Sequence, residues 1–271
     1  MSDKLHIDLS GPPLTMLATL YAKALDADLP RPVLGDRFAK AAVDQIDYDW
    51  SRTTVTTRNA PAATTRTAHF DHWVTQFLAV HPQCTVLDLG CGLDARVYRL
   101  DPGPGVQWFS IDHPEVIALR EQVYPSRAHY RMIPASVTDP TWLDEIPPDR
   151  PTLLVGEGLT MYLTRADGLS LLRRVVAHVP SGELQFDAFN TWGIRAQFTN
   201  TIVRRSGSRL SWAIDSPDDI VGAVPGVRLL AWLSAFEADG FQDVARVYRV
   251  LGSLPGLHGM STYHRYAFGG I

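Results

Sequence analysis

A chain of 271 residues suits one large α/β domain, or one domain carrying an added cap. Hydrophobic residues make up 45% of it, enough for a sizeable core and far from the composition of a disordered protein. The formal net charge of −4 supplies no basic footprint, whereas nucleic-acid binders cluster Lys and Arg on one face.

The opening stretch, Met1 to Pro13, lacks the charged-then-apolar pattern of a signal peptide. No run in the chain approaches the ~18 apolar residues of a membrane span, so a reducing cytoplasm is the expected compartment. Leu14, Leu17, Leu20, Tyr21 and Leu25 recur at three- and four-residue intervals and predict a first helix. Pro30 and Pro32 break it, and a second helical stretch follows from Phe38 to Ile46. A third helix is predicted over Ala68 to Val80, with Trp73, Phe77 and Val80 on one face and Pro82 beyond its end. No strand signal interrupts this region, which reads as a helical cap over residues 1–82.

The character changes at residue 84. Thr85 to Leu89 reads as a buried strand, stopped by Gly90-Cys91-Gly92, with a helix through Tyr98 after it. Cys84 and Cys91 are too few and too close for a disulfide framework or a zinc site. Val106 to Ile111 forms a second strand ending at Asp112, and Pro114 to Tyr124 is its helix. Further strands are predicted at Tyr130 to Pro134, Thr152 to Gly156 and Glu183 to Phe189, with a strongly periodic helix from Thr164 to Val179. Strands alternating with helices imply a parallel sheet covered on both faces.

Asn190 to Leu230 carries Trp192, Trp212, several Arg and a helix start at Ser216-Pro217-Asp218-Asp219, and reads as an insertion over the ligand-binding face. Arg204-Arg205, the nearest approach to a basic cluster, reads as a solvated or substrate-facing turn. Leu233 to Asp239 predicts a helix closed by Gly240. Ala245 to Leu251 and Thr262 to Phe268 then predict an antiparallel hairpin at the sheet edge. The expected organisation is one domain over 1–271. Its core is 83–189 with 231–271, and 190–230 is the lid.

Ligands of open parallel sheets bind beyond the carboxyl ends of the strands, at the topological switch point. That rule selects Asp88 to Gly92, Asp112, Ala135 to Asp139, and Glu157. The glycine loop alone leaves two readings. Gly90-Cys91-Gly92-Leu93-Asp94-Ala95 with Asp112 fits a dinucleotide fingerprint and so a nicotinamide-dependent oxidoreductase. A pyrophosphate, however, favours exposed amides without flanking acids, and Asp88 and Asp94 would oppose it. S-adenosylmethionine carries a cationic amine, a sulfonium and a ribose diol, and suits an acidic loop better. Asp112 is placed to accept hydrogen bonds from both ribose hydroxyls.

The run Val86-Leu87-Asp88-Leu89-Gly90-Cys91-Gly92-Leu93-Asp94-Ala95-Arg96-Val97-Tyr98-Arg99-Leu100 resembles the first motif of the leucine carboxyl methyltransferase family. The bacterial branch of that family includes polyketide O-methyltransferases of the tetracenomycin type. Three more segments resemble it in order. They are Thr15 to Ala42 with Leu20-Tyr21-Ala22-Lys23-Ala24 and Asp36, then Arg66-Thr67-Ala68-His69-Phe70-Asp71, then Glu157-Gly158-Leu159-Thr160-Met161-Tyr162-Leu163. A weaker echo lies at Gly240-Phe241 and the last strand.

The resemblance implies a Rossmann-like class I methyltransferase fold. That fold has a seven-stranded, mostly parallel sheet with an antiparallel C-terminal hairpin and an N-terminal helical cap. It implies that Arg66 grips the cofactor carboxylate, Gly90 lies against the methionine part and Asp112 holds the ribose. Ser136 and Val137 would border the adenine, Glu157 would face the amine end, and Lys23 aligns near a second basic contact. Asp88 is counted with the cofactor-binding residues. The family often has an acid at the position of Ser136, which weakens the adenine contact expected here.

An activated methyl sulfonium leaves alignment of the acceptor oxygen as the protein's main task. A carboxylate acceptor needs no base, and a phenol benefits from one. Tyr162 is the expected positioning group, and His69 the candidate histidine, with a structural role as its competing reading. Tyr21, Trp192, Phe198 and Trp212 are the expected walls for a phenol or carboxylate of a small aromatic or polyketide-like acceptor. No metal spacing is legible, and neither nucleic acid nor membrane is an expected partner. Alternatives left open are a protein or peptide C-terminal carboxyl methyltransferase, an NAD-dependent oxidoreductase and a catalytically silent cofactor-binding protein.

Overall fold

Three helices build the N-terminal third, as the apolar periodicity predicts: α1 (Pro13–Ala27), α2 (Arg37–Gln45) and α3 (Ala60–Val80). They belong to a computed structural model that describes residues 4–6, 13–199, 203–204, 207–239, 250 and 257–270. Helix α3 starts eight residues earlier than its apolar stripe indicates. Pro61 sits in its first turn, where a missing N–H costs nothing, and Thr64, Thr65 and Thr67 blur the pattern although all three are buried. Asp36 caps α2, its Oδ1 accepting from Ala39 N at 2.9 Å. One correction applies here. A two-residue parallel pair, β1 (Leu5–His6) with β2 (Ile46–Asp47), lies in the region expected to hold no strand. Two residues are too short to leave a period in the sequence.

The core then alternates strands and helices. β3 (Cys84–Leu89), α4 (Arg96–Leu100), β4 (Val106–Asp112), α5 (Pro114–Val123) and β5 (Tyr130–Pro134) come first. β6 (Thr152–Gly156), α6 (Arg165–His178), β7 (Ser181–Phe189) and α7 (Thr191–Arg195) follow. Every residue of β3 and β6 is buried, because both faces of a parallel sheet are covered. Val86 faces the cluster with Leu17, Phe70, Trp73 and Phe77 of the N-terminal helices. Leu87 faces the opposite one, with Leu169, Leu172 and Val175 of α6. This alternation is the period-2 geometry of a strand.

β8 (Val227–Ser234) and β9 (Ser261–Gly269) complete a seven-stranded sheet in the order β5-β4-β3-β6-β7-β9-β8. Strands β3 to β7 pair in parallel, and β9 runs antiparallel to both β7 and β8. The C-terminal antiparallel pair is present, but its first strand is Val227–Ser234. That strand begins inside the stretch expected to belong to the insertion. The predicted helix Leu233 to Asp239 shrinks to a single 3-10 turn, Ala235–Glu237, capped by Ser234 with Glu237 in a capping box. An apolar run through Leu233 favours the strand, and the turn begins only where Ser234 stops it. The expected strand Ala245 to Leu251, apart from Val250, and the Gly240-Phe241 echo lie outside the described residues, as does Arg205. The expected helix start at Ser216 to Asp219 leads into a short helix, Asp218–Val221.

Strand order reverses at β3, with β4 on one side and β6 on the other. The carboxyl ends of these strands therefore open the crevice in which such sheets hold ligands.

Candidate active site

A cavity of about 1260 Å³ lies over that crevice, between the sheet ends, α1, the start of α3 and the 189–210 segment. Lys23, Arg66, Asp88, Gly90, Asp112, Ser136, Val137, Glu157 and Tyr162 all line it. Gly90 and Gly92 have φ of +61° and +48°, the left-handed region that glycine enters freely. A Cβ on Gly90 would stand 3.0 Å from Leu159 Cδ1, so a larger residue would both strain the loop and crowd its neighbour.

Asp112 bridges two backbone amides. Its Oδ2 accepts from Gly92 N and its Oδ1 from His113 N, both at 2.7 Å. Each oxygen keeps lone pairs for a ligand. Burial raises its pKa against the pull of those two N–H groups. Beneath the loop, the fully buried Arg120 donates to Gly92 O and Asp94 O, each at 2.8 Å, and to Tyr130 Oη at 2.8 Å. These bonds turn the loop carbonyls away from the cavity.

The sequence pattern does not single out Arg96 or Arg99, yet these residues organise the site. Arg96, with no exposed surface, reaches Asp71 Oδ1 at 2.7 Å, Asp94 Oδ2 at 3.2 Å, Asp88 Oδ1 at 3.7 Å and Glu157 Oε2. Arg99 contacts Asp36 at 2.5 Å, Asp94 at 2.6 Å and Asp71 at 2.8 Å. Lys23 adds a contact to Asp94 at 3.2 Å. Arg66 joins Glu157 at 3.1 Å to Asp187 at 3.0 Å, and Asp187 also accepts from Gly158 N at 2.6 Å. The signal for the two arginines was their position: three apart on one short helix, directly after the acidic glycine loop.

Six carboxylates (Asp36, Asp71, Asp88, Asp94, Glu157, Asp187) thus share four cations (Lys23, Arg66, Arg96, Arg99). The excess is acidic. Burial alone would raise Glu157, but the charges of Lys23, Arg66 and Arg96 bring it down to about 2. Burial also opposes ionisation of Asp94, and Arg99, Lys23 and Arg96 hold it well below the usual range. For Asp88 burial wins over Arg96 and pushes it up to about 6. Burial likewise raises Asp187 against Arg66.

Five expected site residues stand elsewhere. Tyr21 stacks on Trp50 at 5.2 Å between ring centroids, away from the cavity lining. Trp192 and Phe198 are 63% and 68% exposed and face outward. Trp212 is buried, its ring filling the space left by Gly168 on α6. His69 lies against Trp73 and Tyr263, at 4.4 and 5.3 Å between centroids, and does not line the cavity. Burial, then neighbouring His72, lower its pKa to about 4, so it is neutral at pH 7. Aromatic content marked the right segments but not which way each ring turns. The walls are instead built by Met161, Phe189, Val203, Leu210 and Met260 beside Tyr162.

The leucine carboxyl methyltransferase family matches residues 15–176, more than half of the chain. The tetracenomycin polyketide synthesis O-methyltransferase TcmP of Streptomyces glaucescens is 43% identical over 266 residues, covering 97% of this chain and 98% of that protein. The S-adenosyl-L-methionine-dependent methyltransferase dpfgK of Gibberella zeae is 37% identical over 248 residues, 83% of each chain. Two crystal structures share the fold. One is a Thermobifida fusca protein assigned as a methyltransferase (TM-score 0.63, 16% identity, 96% of this chain and 98% of that one). The other is a DUF574 family protein of Streptomyces avermitilis (TM-score 0.60, 13% identity, 92% and 97%). With the glycine loop, Asp112 and Glu157 brought to one crevice, the chain belongs to the leucine carboxyl methyltransferase family and is an S-adenosylmethionine-dependent methyltransferase.

Proposed function

We propose that the chain methylates a phenolic or carboxylate oxygen of a small aromatic or polyketide-like acceptor. The observation that carries this reading is one cavity with two unlike ends. The sheet end holds more carboxylates than cations, which suits an ammonium and a sulfonium. The other end is walled by Met161, Phe189, Val203, Leu210 and Met260, which suits a flat apolar body. The 43% identity to a tetracenomycin O-methyltransferase supports the same acceptor class.

S-adenosylmethionine supplies a methyl group already activated for transfer. The residues then divide by what they offer. Asp112 offers lone pairs to the ribose hydroxyls, and Glu157 and Asp88 supply negative charge at the amine end. Arg66 pairs the cofactor carboxylate, Lys23 supports it through Asp94, and Ser136 and Val137 border the adenine. Gly90 leaves its backbone open to the methionine part. Tyr162 orients the acceptor oxygen. Burial raises its pKa against a hydrogen bond with Thr15, so it serves as a hydrogen-bond donor and not as a base. In this reading the helical cap and the segment after β7 close a single catalytic domain against water. The enzyme uses no metal, takes a small molecule and not nucleic acid, and works in the cytoplasm.

Calorimetric titration with S-adenosylhomocysteine and with NAD, on the wild type and Asp112→Ala, tests the cofactor end. Binding of the first ligand alone, weakened at least about a hundredfold in the variant, is expected for loss of charge-assisted bonds to two hydroxyls. A screen of phenols and aromatic acids for O-methyl products then tests the acceptor. Methylation of a peptide terminus in preference to these would replace the acceptor class.

A further inference from the structure

Lys23, Arg66 and Arg96 line the cavity, and each is already paired to carboxylates. Arg209 lines it too, and among the described residues it has no acid within salt-bridge distance. The chain directly after it is anchored at two points. Gln197 accepts from Leu210 N at 2.9 Å and donates to Leu210 O at 3.1 Å. Ser211 N donates to Met161 O at 2.7 Å, beside Tyr162. The short stretch that carries Arg209 is therefore tied to the wall of the acceptor end.

That end is otherwise uncharged. Its lining from residues 161–163, 189–210 and 257–263 contains no Asp, Glu or His among the described residues. With His69 turned away, this wall offers no base to deprotonate a neutral hydroxyl. An acceptor that is already an anion needs none, and a guanidinium at the solvent-exposed rim of this end, with no acid partner among the described residues, is the matching recognition group.

We propose that Arg209 is a specificity residue that selects flat aromatic acceptors carrying an acidic group ionised at neutral pH. This rests on the acceptor end proposed above. The cofactor carboxylate has Arg66 at the sheet end, so Arg209 contributes to the acceptor and not to the cofactor.

The test uses rhein and danthron, two anthraquinones identical except for the carboxyl group of rhein, titrated by fluorescence in the presence of S-adenosylhomocysteine. The wild type is expected to bind rhein about tenfold more tightly than danthron, the scale of one hydrogen bond to a charged group. Arg209→Gln should lose that preference while holding its affinity for danthron and for S-adenosylhomocysteine. Arg209→Lys should restore part of it. Equal affinity of the wild type for both compounds, binding of neither, or a preference that survives in Arg209→Gln overturns the proposal and leaves the methyltransferase site standing. Failure of S-adenosylhomocysteine to bind the wild type would overturn the cavity reading and this proposal with it.

Discussion

Asp88, next to last in β3, has only 3% of its surface exposed, and its nearest cation, Arg96, is shared with Asp71, Asp94 and Glu157. Too little positive charge reaches it to offset burial, and its pKa rises to about 6. The sign follows directly. A carboxyl that holds its proton more tightly when folded makes stability fall as pH rises. That fall runs from the unfolded value of about 3.9 to the folded value near 6, and the cost is complete above that. For a cationic ligand the effect is reversed, because ionised Asp88 attracts it. Affinity for S-adenosylmethionine is expected to rise by about tenfold as pH passes through about 6, the scale of one charge pair in a partly buried site. Asp88→Asn should bind at pH 7.5 as weakly as the wild type binds at pH 5, with no step between. Calorimetry across that range decides it, and a step that persists in the variant would assign the titration to another group. Asp112 differs in one respect: two backbone N–H groups already stabilise its charge.

Helix α6 shows how one element fixes the orientation of a distant aromatic. A Cβ built on Gly168 would stand 1.9 Å from Trp212 Cζ3, so the ring occupies the volume that any side chain at 168 would need. Gly→Ala inside a helix ordinarily stabilises by about 1 kcal/mol. Here the sign is expected to reverse, with Gly168→Ala losing about 1–3 kcal/mol through overpacking of a filled core. Urea denaturation followed by tryptophan fluorescence measures it, and a more stable variant would show that Trp212 moves at little cost. The same contact explains what was legible at this scale. Thr152–Gly156 was predicted to the residue because a strand buried on both faces leaves an uninterrupted apolar signature, whereas Tyr130–Pro134, an edge strand with only Ile133 buried, was marked by its Tyr and Ile and by the Pro that ends it. Asp112, Glu157, Arg66 and Lys23 were legible because strand ends and an ordered set of motifs place them. Trp212 was legible as an aromatic of the right segment, but its direction depends on a glycine 44 positions earlier in the chain, and no local period encodes that. Val227 to Ser234 failed for a related reason. A strand in which only the two end residues, Val227 and Ser234, are buried shows no clean alternation.

Across the whole molecule the buried ion network joins the helical cap to the sheet. Arg99 meets Asp36 at the start of α2, Asp71 on α3 and Asp94 in the glycine loop, and its side chain is 8% exposed. Lys23 carries the connection to α1, and Met16 of the same helix lies close enough to Gly92 that a Cβ there would stand 3.1 Å from its Cγ. The cap is thus held against the glycine loop by charge as well as by the Leu17, Leu20, Phe70 and Trp73 cluster. Removing one partner of a buried network costs far more than the network contributes, because the remaining charges stay buried without it. Arg99→Met is therefore expected to lose about 3–5 kcal/mol, a large share of the 5–15 kcal/mol that holds a typical domain together. Arg127→Met serves as the contrast. Its ion pair with Asp101, which is 80% exposed, should cost no more than about 1 kcal/mol. Hydrogen exchange separates a local from a global effect. If Arg99 fastens the cap, amides of α2 and of α3 near Asp71 should exchange faster in Arg99→Met relative to those of β3 and β6. Addition of S-adenosylhomocysteine should then recover part of that protection, since a ligand that binds only the closed form favours it by mass action. Uniform loss across cap and sheet would mean instead that the network stabilises the molecule as one cooperative unit, with no separable motion of the cap over the site.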